Sequence, residues 1–263
     1  MEIKKKDLLI AATGLFGIAA GVAWEYYKQH RKKKAAETTW HPTTKTCEEL
    51  PPRTLHPIES ICTRRGIQSL YHFTRISSLS SILEHGLLSH QDVKAMQLPL
   101  VDPNRHDGRE DHICLTVSHP NSKMLYRLSH DDQSAWCVIE LPASITWERE
   151  CLFTPTNAAN KDIQSIPEEE LKGEAAFERM FMPQIGNCER SASLSPWYPT
   201  DVQAEVMCPG RISTNLFSAI YFYSEPPGEL KRQARDRGIA AEQFGMMFWP
   251  RNGDEIPGYR YVR

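Results

Sequence analysis

The stretch SLYHFTRISSLSSILEHGLLS, residues 69–89, decides how the chain is read. Its opening is rich in aromatic and branched side chains, which predicts a strand over residues 69–73. Ser77 can cap a following helix that sets Leu79, Ile82 and Leu83 on one face, and Gly86 closes it. His72 and Thr74 therefore stand at a strand end with a short helix directly behind them.

Further strands follow downstream. Ile113, Leu115 and Val117 alternate with polar or small residues, and WCVIEL, residues 136–141, reads as a buried strand. Residues 205–208 and 220–223 predict two more, separated by the Pro209-Gly210 turn and a short helix. Residues 229–244 read as helical. Short strands with few helices imply an α+β fold on a mainly antiparallel sheet.

The chain has 263 residues, 40% of them hydrophobic and 24% charged, enough to bury a full core. Its seven cysteines lie far apart and in odd number, which fits neither a disulfide framework nor a zinc knuckle and implies a reducing compartment. The N-terminus differs. Residues 8–24, LLIAATGLFGIAAGVAW, carry no charge and are flanked by Lys4, Lys5 and Lys6 before and Lys28, Arg31, Lys32, Lys33 and Lys34 after. That length sits at the lower limit for a bilayer span. A cleavable signal peptide is the rival reading, but its apolar region is ordinarily shorter. The expectation is one transmembrane helix with the body of the protein on the cytoplasmic side, since cations favour that side.

Eight of the 31 Lys/Arg and three of the 33 Asp/Glu lie in residues 1–34, so the remainder is net acidic. Broad duplex binding, which depends on phosphate neutralisation, is thereby disfavoured, while a local groove for a short single strand is not. Residues 35–58 are rich in Thr and Pro without periodicity and read as a linker. The expected organisation is an anchor with basic flanks over 1–34, the linker over 35–58, the main folded domain over 59–226, and a C-terminal helix and tail over 227–263.

The chain has no GxxxxGK[ST] loop, no GxGxxG after a strand, no HExxH and no GxSxG. His106, His112, His119 and His130 show no repeating ligand spacing, so no metal is expected. One acid stands out: Glu205, in SPWYPTDVQAEVMCPG, where a turn-rich stretch runs into a strand. If Gln203 shares that strand it shares a face with Glu205; a solvent-facing polar pair is the bland alternative.

Together these residues resemble the ADP-ribosyltransferase superfamily. YHFT followed by SLSSILEHGLLS is similar to its first motif, and Gln203-Ala204-Glu205 to its catalytic glutamate motif. Within the superfamily the chain most resembles the DarT family, through YHFTRISSLSSILEHGLLS, ICLTVSHPNSKMLY, CLFTPTNAANKDI and YPTDVQAEVMCPGRI, over about residues 67–223. The resemblance implies split antiparallel sheets with flanking helices, and transfer of ADP-ribose from NAD to a base of single-stranded DNA. It implies NAD contacts from His72, Phe73, Thr74, Ser81, Ser89 and Gln203, although the family often has Asn at position 81. Glu205 would hold the 2′-hydroxyl of the nicotinamide ribose. The family's active-site arginine, which contacts NAD or the base, falls on Arg105 first and Arg109 second. A macrodomain-type ADP-ribosylglycohydrolase antitoxin is the implied partner of such a toxin.

Thymine and guanine stay open as acceptors. Trp197 and Tyr198 can stack on bases or anchor packing, and Asn157 and Asn160 can read a base edge or cap turns. The same fold acting on RNA or protein, and a non-catalytic NAD or nucleic-acid binding module on a membrane anchor, are the competing functions.

Overall fold

The computed structural model describes residues 54–99, 107–251 and 254. Helix α1 (Pro57–Arg65) opens with His56 and Glu59 exchanging capping bonds and ends at Gly66 in the left-handed region. Then come β1 (Ser69–Arg75), α2 (Ile76–His85), α3 (His90–Ala95), β2 (His112–Val117), α4 (Ser122–Ser129) and β3 (Trp136–Pro142). Next are α5 (Ile145–Glu148), β4 (Leu152–Thr154), α6 (Lys161–Gln164), α7 (Gly173–Arg179), and the hairpin β5 (Gln184–Ile185) with β6 (Cys188–Glu189). The chain closes with β7 (Glu205–Pro209), β8 (Ala219–Phe222), α8 (Gly228–Asp236) and β9 (Ala240–Gln243).

Seven strands join in the order β4-β7-β2-β1-β3-β8-β9, and only the β8–β9 pair is parallel. The fold is mixed α+β on a large, mainly antiparallel sheet. The two expected sheets meet at a narrow seam in this order. Strand β2 pairs with β1 only at Leu70↔Val117 and Tyr71↔Thr116, while its residues 112–115 pair with β7. The β4-β7-β2 half is thus hinged to the rest through two rungs.

One face of the sheet packs Leu70, Leu115, Ile139, Phe153 and Val206 against Ile61 of α1, Leu79 and Leu83 of α2, Phe177 of α7 and Ala234 of α8. The other gathers Tyr71, Val138 and Tyr221 with Leu125 of α4 and Phe248. Leu79 and Leu83 are fully buried, worth about 1.5–3 kcal/mol each. Behind them Gly86 takes φ 83°, and a Cβ there would stand 2.4 Å from the Ile212 carbonyl oxygen. Leu87 and Ile212 exchange backbone bonds of 2.9 Å at that point, tying the end of α2 to the segment after β7.

Three expectations are corrected. The helix predicted over 229–244 stops at Asp236, Gly238 turns the chain at φ 72°, and residues 240–243 form β9 instead. Gln203 lies in a turn rather than on the strand: its amide donates to Asp201 Oδ1 at 2.9 Å, and β7 begins two residues later. The placement in a membrane, as a single-pass protein with its catalytic domain on the cytoplasmic side, is the third. Residues 8–24 lie outside the described residues, and among the described residues no helix is long and apolar enough to cross a membrane. The longest, α2, has ten residues and spans about 15 Å, half of a bilayer's hydrocarbon core.

Candidate active site

Strand β1 presents His72 and Thr74 on one side and Phe73 on the other, because side chains alternate along a strand. Beyond the last β1–β2 rung, His72 Nδ1 donates to the Cys114 carbonyl at 3.0 Å. A carbonyl only accepts, so this bond fixes the ring's proton and makes Nε2 the acceptor of the neutral imidazole. Thr74 is buried; Phe73 is half-buried and tilts against Trp136 at 5.9 Å. The structure therefore brings His72 and Thr74 together and turns Phe73 away.

Ser81 sits half-buried on α2. Ser89 is the N-cap of α3: its hydroxyl accepts from Asp92 N at 3.1 Å and donates to Asp92 Oδ2 at 2.7 Å. With its one proton committed, Ser89 has only acceptor capacity left for a ligand.

Glu205 is the first residue of β7, paired with Thr154 of β4 and 8% exposed. Its Oε2 accepts the amide of Ala158 at 3.0 Å, from the loop after β4. Strands β1 and β7 flank β2, so Glu205 and His72 stand two strands apart in the sheet order. Pleat alternation aims Glu205 away from Val206, toward the face that carries Tyr71 and Met207, whereas the His72 ring sits at the seam.

In the loop after β4, Asn157 Oδ1 accepts from Ala159 N and Asn160 Oδ1 from Asp162 N, each at 2.9 Å. Both asparagines thus spend their carbonyl oxygens capping local turns. Trp197 and Tyr198 are packing anchors: Tyr198 is buried, edge-on to Trp197 at 5.9 Å and to His119 at 6.0 Å, with the Arg251 guanidinium 5.4 Å above its ring.

Arg105 lies outside the described residues. Arg109 is buried, with its amide held by Asp107 Oδ1 at 2.9 Å and its Nε 3.5 Å from Glu168 Oε1. Its Nη1 has no hydrogen-bond partner among the described residues. A buried guanidinium with unmet donors is suited to receiving an anion or a polar ligand. Among the described residues no group of three His, Cys, Asp or Glu side chains could hold a metal.

Sequence reasoning missed Ala158, Thr156 and Asp201. The hydroxyl of Thr156 donates to Asp201 Oδ2 at 2.6 Å, joining the two loops on either side of Glu205. A backbone donor such as Ala158 N–H carries no residue signature, but Asp two residues before Gln203 was a readable turn signal.

Several solved structures resemble the chain. The Thermosipho africanus DarTG in complex with ADP-ribose aligns with TM-score 0.49 and 22% identity, covering 69% of this chain; the chain spans about half, 51%, of that relative's length. The Thermus sp. 2.9 DarT in complex with carba-NAD+ aligns with TM-score 0.49 and 16% identity, over 69% of this chain and 97% of that one. The same Thermus protein in complex with ADP-ribosylated ssDNA gives 0.44 and 14%, over 69% and 96%. No curated protein matches the chain significantly. The family model described as ssDNA thymidine ADP-ribosyltransferase, DarT, matches residues 71–237, from within β1 to just past α8. That range takes in the His72 strand, the seam, and Glu205 with the loop that holds it, and on it the chain belongs to the DarT family of NAD-dependent single-stranded-DNA ADP-ribosyltransferases.

Proposed function

We propose that the chain transfers ADP-ribose from NAD to thymine in single-stranded DNA, with Glu205 as the catalytic carboxylate. The observation that carries this reading is Glu205 itself: a buried carboxylate at the first position of β7, one oxygen held by a backbone amide, within the matched family range. Cleaving the bond between nicotinamide and ribose C1′ builds positive charge on the ribose ring. A fixed carboxylate on the ribose 2′-hydroxyl stabilises that charge more than it stabilises bound NAD, which accelerates the step. An atom of the thymine ring then bonds to C1′, nicotinamide departs with the bonding electron pair, and the base gives up its proton.

His72 and Thr74 supply neutral hydrogen-bonding groups for NAD from one side of β1, with Ser81 from α2 and Gln203 from the turn before β7. Phe73 and Ser89 belong to the same proposal in lesser parts, the first through its ring and the second as an acceptor only. Arg105 is the proposed arginine beside the base, where a cation stabilises the deprotonated ring. Arg109, whose Nη1 has no hydrogen-bond partner among the described residues, is the second candidate for that role. The family description names thymidine, which favours thymine over guanine. A macrodomain-type antitoxin remains the proposed partner, and residues 59–226 the proposed catalytic unit.

The test incubates the full chain with labelled NAD and single-stranded oligonucleotides that contain or lack thymidine, beside Glu205→Gln. Label on the thymidine-containing strand that falls by about 10²-fold or more in the variant is expected. Label only on RNA or protein would move the reading to those acceptors, and NAD binding without turnover to a binding module.

A further inference from the structure

We propose that Thr156 and Asp201 are positioning residues for the reaction, forming a latch that holds the loop after β4 in register with the Glu205 carboxylate. This rests on Glu205 being the reacting carboxylate. Strands β4 and β7 pair through Leu152↔Met207, Phe153↔Val206 and Thr154↔Glu205, and there the ladder ends. Past that rung the two chains are no longer tied by strand pairing. On one side runs the loop that contains Ala158, on the other the turn that leads into Glu205.

Two polar contacts bridge this gap. Ala158 N donates to Glu205 Oε2 at 3.0 Å, and Thr156 Oγ1 donates to Asp201 Oδ2 at 2.6 Å. The second is a hydrogen bond to an ionised oxygen, a short and strong type. Asp201 also shapes its own turn, its Oδ1 accepting from Gln203 N at 2.9 Å and its carbonyl from Ala204 N at 3.1 Å. One carboxylate thus sets both the path into Glu205 and the position of the loop whose amide aims Glu205. The asparagine caps cannot substitute, because Asn157 and Asn160 bond within their own loop and leave its register against β7 undetermined.

The latch is distinguishable from a purely structural bond. Ala158 is buried against Leu152, Leu171 and Met207, which keeps the loop packed whether or not Thr156 donates. Loss of the hydroxyl then releases aim rather than fold, and a misplacement on the order of 1 Å near reacting atoms costs about 10²-fold in rate.

The experiment measures kcat and KM for NAD with the full chain and a thymidine-containing single-stranded oligonucleotide, for wild type, Thr156→Val, Thr156→Ser and Glu205→Gln, with a thermal melt of each. The latch predicts that Thr156→Val lowers kcat about ten- to a hundredfold with KM for NAD and melting temperature nearly unchanged. Thr156→Ser, which keeps the hydroxyl, restores most of the rate. Wild-type kcat in Thr156→Val beside an inactive Glu205→Gln overturns the latch and spares the assignment of Glu205. A raised KM with a lowered melting temperature, or no rescue by serine, overturns it also. An active Glu205→Gln overturns the assignment of Glu205 and the latch with it.

Discussion

The imidazole of His72 donates Nδ1–H to the Cys114 carbonyl, and that bond leaves Nε2 as the ring's acceptor. Position 72 can therefore be dissected by substitution. His72→Asn retains an N–H donor near the place of Nδ1 and lacks any acceptor near the place of Nε2. If Nε2 contacts NAD, this variant should fold normally and show KM for NAD raised about tenfold, the worth of one net hydrogen bond of roughly 1–1.5 kcal/mol. Initial rates across an NAD titration check it, and an unchanged KM would remove His72 from the NAD site. The strand that carries His72 and Thr74 was legible because the strand, the helix and Gly86 are all local in sequence. Gln203 was not placed correctly: the Asp201 side chain captures its amide and holds residue 203 in a turn before pairing to β4 begins at Glu205 and pairing to β2 at Val206.

At the scale of elements, the turn that ends α2 is the most demanding feature of the first motif. Gly86 has φ 83° with ψ −178°, a region essentially reserved for glycine, and its missing Cβ is what lets the Ile212 carbonyl approach. Gly210 also has positive φ, 67°, but nothing lies within 4 Å of its would-be Cβ. Gly86→Ala should therefore cost at least about 3 kcal/mol, strain plus collision with backbone, whereas Gly210→Ala should cost about 1–2 kcal/mol, strain alone. Urea unfolding midpoints of the two variants measure the difference, and equal shifts would mean that the close approach to Ile212 contributes nothing. Elements shaped by local pattern, such as α2 with Leu79 and Leu83, could be read from the chain. Strand β9 could not. Its residues, Ala240, Ala241, Glu242 and Gln243, favour helix in isolation, and only parallel pairing to β8, some twenty positions earlier, draws them into the sheet.

At the scale of the whole molecule, three segments distant in sequence close on one another beside the turn into the site. Arg251 donates to the Pro199 carbonyl at 2.8 Å, pairs with Asp254 through both its Nε and Nη2, and lies over Tyr198, whose ring meets His119. No periodicity or motif announces such a cluster, since each residue is ordinary in its own stretch. Burial pushes the His119 pKa from 6.5 down to about 4, aided by the Arg251 charge and opposed by the bond to the Pro120 carbonyl and by Asp254. The unfolded chain, whose histidine titrates near 6.5, then takes up a proton before the folded one does. Stability from this residue is complete above that pH, declines as the pH falls toward 4, and levels off below it, with a slope of up to about 1.4 kcal/mol per pH unit. Carboxylates titrate near the lower end of the same window, so the contribution of His119 is isolated by difference. His119→Gln cannot take up the proton, and its unfolding free energy from urea titrations should fall less steeply than wild type between pH 6.5 and 4. Parallel pH profiles for the two proteins would show that this ring does not couple proton uptake to closure of the cluster.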